Sequence, residues 1–294
     1  MDLLALRYFQ AVARTEHVSR AADQLRIAQP ALSRVLKRLE SDLGVRLFDR
    51  RGRNLRLNSF GATFLRRVDR ALAELDDGRR ELADAVGLEH GRVSIATETL
   101  RRLTPMLTAF LTDHPEIDVR LAEAAPAAMV RQLRDGTLDL AFASQPLTDP
   151  ELRSRALLRE EVLLALPATH RLASRDRVAV AELAGERLIV NRPGHWLRVL
   201  TDRLLVDAGV EADIVCECDE PTVMVDLIDA GLGIGLAPAM ARAAEPRVSA
   251  VAVRLDHPDS FRTLSVVWRE DAYVSPARRE LLEHAVRFFR AATA

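Results

Sequence analysis

Residues 28–44 read Ala-Gln-Pro-Ala-Leu-Ser-Arg-Val-Leu-Lys-Arg-Leu-Glu-Ser-Asp-Leu-Gly, and the rest of the chain is most easily understood outward from them. Pro30 suits the first turn of a helix, where its missing N–H costs nothing. Leu32, Val35, Leu36, Leu39 and Leu43 then recur at helical spacing as one apolar stripe, and Gly44 supplies the stop. Pro30, Ser33, Arg34 and Lys37 fall at i, i+3, i+4 and i+7, so they share the opposite face, with Gln29 beside them at the N-terminal end. Upstream, Val18, Ala21, Ala22 and Leu25 predict a short second helix capped by Ser19, and residues 3–14 predict an amphipathic first helix. Pro30 biases Gln29 away from the helical region, which limits how far the second helix runs. A short helix, a tight turn and a polar-faced helix make a helix-turn-helix. Downstream, residues 47–50 and 55–57 read as two short strands around Arg51, Gly52, Arg53 and Asn54. A wing tipped with arginines can lie on a phosphate backbone or enter a minor groove.

Charge agrees with a polyanion at this end. Residues 1–58 hold twelve Lys or Arg and six Asp or Glu, a net +6, while the whole chain carries −1, which leaves −7 for the remainder. A basic head on an acidic body directs nucleic acid to the head alone.

Residues 6–60 closely resemble the DNA-binding domain of the LysR-type transcriptional regulators. The matching text is Leu6-Arg7-Tyr8-Phe9, Ser19-Arg20-Ala21-Ala22, residues 28–34 and residues 43–50. The resemblance implies that Gln29, Pro30, Ser33 and Arg34 face the major groove, with Arg50, Arg51 and Arg53 on phosphate or minor groove. Members of that family often carry Ser where this chain has Ala28, so one hydroxyl contact to phosphate is missing here.

Asn58 or Ser59 can cap a long helix reaching about Val86. Leu65, Val68, Leu72, Leu75, Arg79, Leu82 and Val86 alternate at spacings of three and four, the seam of a coiled coil. The seam is one stripe wide and flanked by Asp76, Asp77, Arg80 and Glu81, which predicts a second chain as its cover and a homodimer. The resemblance implies the same, and further implies that dimers pair into a homotetramer. Two-fold symmetry in turn predicts a pseudo-palindromic site in double-stranded DNA.

From Arg92 the pattern turns to alternating strands and helices: strands at 93–96, 119–122 and 138–143, helices at 103–111 and 129–133, then further strands at 162–166, 188–190, 213–218 and 263–268, and a helix at 276–292. This alternation predicts a mainly parallel sheet in two α/β lobes with a cleft at the strand ends. Residues 138–141 and 230–238 match recurring segments of the LysR effector domain, which implies a periplasmic-binding-protein-like fold. The expected fold class is therefore α+β and multidomain. A winged helix-turn-helix occupies 1–58 and a dimerisation helix 59–89. An effector-binding domain fills 90–294, with one lobe at 90–161 and 267–294 and the other at 162–266.

Strand-to-helix junctions nominate the ligand residues, because free N–H groups there can hold a small polar molecule. Thr97, Glu98 and Thr99 follow the first strand and Glu123 the second. Asn191, Arg192 and His195 stand at the corresponding place in the second lobe, with Glu220 and Thr222 after a later strand. Helix capping explains Thr99 and Thr222 equally well at this level. Glu98 is an unusual acid for an anion pocket and points to an amine or several hydroxyls on the ligand.

Other features carry less. Gly231, Gly233 and Gly235 follow a helix rather than a strand, so they suit a helix end and tight turn better than a dinucleotide loop. Cys216 and Cys218 point the same way along a strand and read as buried structural thiols. The histidines form no metal set, and no nucleophile elbow occurs. The residues thus predict no cofactor, no metal site and no enzymatic activity. No run is apolar enough for a membrane, the opening residues lack a basic signal region, and cysteines are few, which predicts a cytoplasmic protein. The competing reading is a cytoplasmic small-molecule-binding or enzymatic α/β domain with an accessory DNA-binding head.

Overall fold

The computed structural model describes residues 1–51, 54–86, 91–239 and 250–291. The chain divides into two units: residues 1–89 with 131–137 and 271–275, and residues 90–130, 138–270 and 276–294.

In the first unit, the Asp2 carboxylate accepts from the Ala5 N–H at 2.7 Å and starts α1 (Leu3–Thr15). Helix α2 (Val18–Leu25) is capped by His17, whose Nδ1 accepts from the Arg20 N–H, so Ser19 lies inside the first turn instead of capping it. The break before α3 (Gln29–Leu43) is made by Arg26 in the left-handed region at φ 55°. Gln29 is already helical, because the second position of a helix tolerates Pro30 without bending the residue before it out of line. Strands β1 (Phe48–Arg51) and β2 (Asn54–Leu57) pair antiparallel as a wing. The Glu40 carboxylate on α3 fastens the wing by accepting from the Leu47 N–H at 2.7 Å. Helix α4 (Ser59–Ala85) starts at Asn58, whose side chain accepts from the Gly61 N–H. A Cβ at Gly61 would stand 2.1 Å from the Leu47 carbonyl oxygen, so only glycine lets the helix cross the wing this closely.

The seven-residue seam on α4 splits in two. Val68 and Leu72 are buried in the core of the head with Phe9, Val12, Leu36 and Leu47. The acids beside them face α1: Asp69 accepts from Gln10 at 2.6 Å and Asp76 from Arg7 at 2.8 Å. Beyond that point Leu75, Leu82 and Val86 are exposed. The expectation that the whole stripe awaits a second chain is therefore corrected for its first half, which α1 covers.

In the second unit, β3 (Arg92–Thr97) pairs parallel with β4 (Asp118–Glu123) and β5 (Leu140–Ala143), joined by α5 (Leu100–Asp113) and α6 (Pro126–Arg134). Next comes β6 (Leu152–Leu166), a 15-residue strand that begins well before the expected residue 162. Its first half pairs antiparallel with β12 (Phe261–Arg269), and its second half with β10 (Gly235–Pro238) and β11 (Val251–Asp256). The full order is β4-β3-β5-β12-β6-β11-β7, where β7 is Arg177–Ala179 and β10 also pairs with β6. A separate parallel pair joins β8 (Arg187–Val190) to β9 (Asp213–Glu217), flanked by α7 (Trp196–Asp207) and α8 (Pro221–Asp229). Helix α9 (Pro276–Ala291) packs on the first core. The sheet is mixed rather than mainly parallel, because β6 and β12 run through both lobes in opposite directions. Each lobe keeps its own core, one built on Val93, Phe110, Phe142 and Leu281, the other on Val162, Leu188, Leu204 and Leu255. The fold is thus a winged helix-turn-helix, a long helix and a two-lobed α/β domain.

The glycine run behaves as a turn: α8 ends, Gly231 takes φ 78°, and β10 follows. Cys216 and Cys218 are free thiols, half-buried rather than fully buried, because β9 lies at the edge of a two-stranded pair.

Candidate functional site

On α3 the apolar stripe Leu32, Leu36 and Leu39 is buried, which turns Gln29, Pro30, Arg34 and Lys37 to solvent and leaves Ser33 half-buried. The Gln29 amide donates to the Ser33 hydroxyl at 3.2 Å, so these two polar groups are held together at the start of the helix. Among the described residues Arg34 and Lys37 make no ion pair, and their charge is available to an outside anion. The backbone of Arg50 and Arg51 lies in β1 at the wing, whereas Arg53 lies outside the described residues.

Within the second unit, a cavity of about 730 Å³ opens where the ends of β3, β4 and β8 meet the starts of α5, α6, α7 and α8. Of the residues nominated from sequence, Glu98, Thr99, Glu123, Asn191 and His195 line it. Thr97, Arg192, Glu220 and Thr222 are not among its lining residues. The Thr97 hydroxyl instead accepts from the Thr99 N–H at 3.2 Å, and the Arg192 side chain is exposed. Glu220 is the N-cap residue of α8 and receives the Thr222 hydroxyl.

Glu98 is 9% exposed. One oxygen accepts from the Ser144 N–H at 2.5 Å and the other from the Gln145 amide at 2.9 Å. Burial pushes its carboxyl above the ordinary glutamate value, opposed by those two donors and by Arg262. His195 caps α7 through Nδ1, which accepts from the Leu197 N–H. Burial holds its imidazole below the ordinary value, against the pull of Asp219 and with the push of Arg262. Two buried polar atoms are left without partners: Thr99 Oγ1, which does not cap its helix, and Asn191 Oδ1.

Sequence reasoning missed Arg262, Asp219, Gln145 and Trp196 as site residues. Arg262 donates from Nε to the Ser144 hydroxyl at 2.8 Å, faces Glu160 at 3.5 Å and stacks 4.6 Å over the Trp196 ring. Nothing local in the sequence marks an arginine inside a strand as buried; only its place on β12, between the lobes, does so. No group of His, Cys, Asp and Glu among the described residues could hold a metal ion, and no helix is long and apolar enough to cross a membrane.

Two family descriptions match this chain: the bacterial regulatory helix-turn-helix proteins of the lysR family over residues 3–62, and the LysR substrate binding domain over residues 87–290. The HTH-type transcriptional regulator YybE of Bacillus subtilis is 33% identical over 292 residues, 98% of this chain and 99% of its own length. The solved structure of full-length CbnR with its target DNA has a TM-score of 0.60 at 26% identity, covering 98% of this chain and 99% of that one. A full-length OxyR variant from Pseudomonas aeruginosa has a TM-score of 0.70 at 24% identity, covering 99% and 95%, and supports the fold.

Proposed function

The chain belongs to the LysR family and is a DNA-binding transcriptional regulator with a substrate-binding domain; from that premise we propose how its residues divide the work. Gln29, Pro30, Ser33 and Arg34 enter the major groove, where Gln29 and Arg34 read base edges. Lys37, Arg50, Arg51 and Arg53 meet phosphate or the minor groove. Residues 1–58 form the reading head, 59–89 the helix that pairs two chains, and 90–294 the effector domain, lobed at 90–161 with 267–294 and at 162–266. Exposed Leu75, Leu82 and Val86 supply the pairing surface, the operator is pseudo-palindromic, and dimers assemble into tetramers. The protein works in the cytoplasm and is not an enzyme, in keeping with relatives that are transcriptional regulators.

The observation that carries the sensing half is the cavity of about 730 Å³ with Asn191 and Thr99 left unsatisfied inside it. A small molecule that binds one arrangement of the lobes better than another shifts their equilibrium, and only that differential affinity can change promoter occupancy. Full-length protein titrated against the duplex upstream of its own gene, and against a shuffled duplex of equal length, tests the reading. Preference for the upstream duplex is expected, lost on Arg34→Ala; equal affinity for both duplexes would refute it.

A further inference from the structure

Resting on the reading of the cavity as the effector site, we infer the chemical class of the effector: an apolar body with a hydrogen-bond-donating amine or alcohol head and no net negative charge, the head being read by Asn191.

Asn191 ends β8 and is 5% exposed. Its Nδ2 lies 3.2 Å from the Cys218 carbonyl oxygen and 3.4 Å from an Asp219 carboxylate oxygen. The same Asp219 oxygen accepts from the Arg192 N–H at 2.9 Å. Both neighbours of Nδ2 are acceptors, so the amide has one chemically sensible orientation, with nitrogen toward them and Oδ1 turned elsewhere. Oδ1 is buried, has no donor, and belongs to a residue that lines the cavity. An amide oxygen can only accept, and a buried acceptor left alone is costly, so the missing partner is an N–H or O–H of the ligand. Thr99 Oγ1 is also unsatisfied, but a hydroxyl donates or accepts and anchors either kind of head. Asn191 therefore carries the discrimination.

The charges agree. Glu98, Glu123 and Asp219 line the cavity against two arginines, Arg101 and Arg262. The Arg262 side chain, 3% exposed, already faces Glu160, itself 4% exposed, and the Trp196 ring. A ligand carboxylate would meet an acid-rich wall whose one buried guanidinium is engaged, whereas an ammonium or hydroxyl would not. Leu163, Met224, Ile228 and Leu236 supply the apolar remainder, and the volume fits a metabolite-sized body.

Three probes of one shape separate the classes: phenethylamine, phenethyl alcohol and hydrocinnamate, titrated into the full-length chain by calorimetry and by the fluorescence of Trp196, with Trp196→Phe as control. The amine and the alcohol should each bind about tenfold more tightly than the carboxylate, as expected for one buried hydrogen bond gained or an acceptor left unpaired. Asn191→Ala should erase that preference while leaving hydrocinnamate unchanged. The comparison among probes on the unaltered chain stands even if the variant does not fold. Equal or tighter binding of hydrocinnamate, removed by Ala237→Trp in the cavity wall, would overturn the donor class and leave the cavity as the effector site. Binding of any probe that survives Ala237→Trp would overturn the site as well. Failure of the amine and the alcohol to bind at millimolar concentration would overturn the inference.

Discussion

The seam on α4 offers a perturbation whose two halves should behave oppositely. Leu72 is 2% exposed inside the core of the head, while Leu75, Leu82 and Val86 are 49%, 70% and 65% exposed. Full burial of such a side chain is worth about 1.5–3 kcal/mol, so covering what remains open gains roughly 1–2 kcal/mol per residue in each chain of a pair. Leu82→Asp loses that gain twice in a two-fold dimer and sets two carboxylates against each other. The expected loss is about 3–4 kcal/mol, or roughly a hundred- to thousandfold in the dimer dissociation constant. The same substitution should leave the stability of each folded chain within about 0.5 kcal/mol, because the position touches no core. Leu72→Ala should do the reverse, costing about 2–5 kcal/mol of stability through the cavity it leaves, while folded molecules still pair. Sedimentation velocity across the micromolar range reads association, and urea unfolding monitored by circular dichroism reads stability. Leu82→Asp protein that stays dimeric at low micromolar concentration, or Leu72→Ala protein as stable as the parent, would refute the division of the seam.

Arg34→Ala should lose about 1–3 kcal/mol of specific DNA binding and much less on random duplex, measured by fluorescence anisotropy; equal losses would make Arg34 a phosphate contact. Gly61→Ala should destabilise the head by about 3 kcal/mol, since its methyl has no room beside the Leu47 carbonyl; an unchanged urea midpoint would contradict the close crossing. His284 is held below the ordinary imidazole value of 6.5 by burial, with Arg287 adding to it, so the folded chain binds its proton less readily than the unfolded one. Stability should then fall as pH drops through 6.5 toward the lower folded value, and His284→Leu should shallow the fall in Tm over that window. Glu98 and Asp135, raised by burial, push the other way at lower pH, so the difference between variant and parent is the measurement that counts.

Sequence alone determined what depends on near neighbours along the chain. The spacing of Leu32, Leu36 and Leu39 fixed which side of α3 is buried and so which side presents Arg34 and Lys37. Asn58, Gly44 and Gly231 marked their helix ends and turn, because capping and positive φ are properties of a few consecutive residues. The junctions after β3 and β8 named Glu98, Thr99, Asn191 and His195, since a strand leading into a helix leaves its polar ends at one edge. Tertiary structure decided the rest. A heptad spacing says which residues share a stripe, not what covers it, and only the docking of α1 sent Val68 and Leu72 inward and left Leu82 outside. The mixed sheet rests on β6 pairing with β12 across about a hundred residues, and such pairing has no local signature. Arg262 reaches Ser144, 118 positions away, through that same pairing. Asn191 meets Asp219 because β8 and β9 lie side by side. The unsatisfied oxygen that selects the ligand follows from those two neighbours, so it exists only once distant segments have been folded against each other.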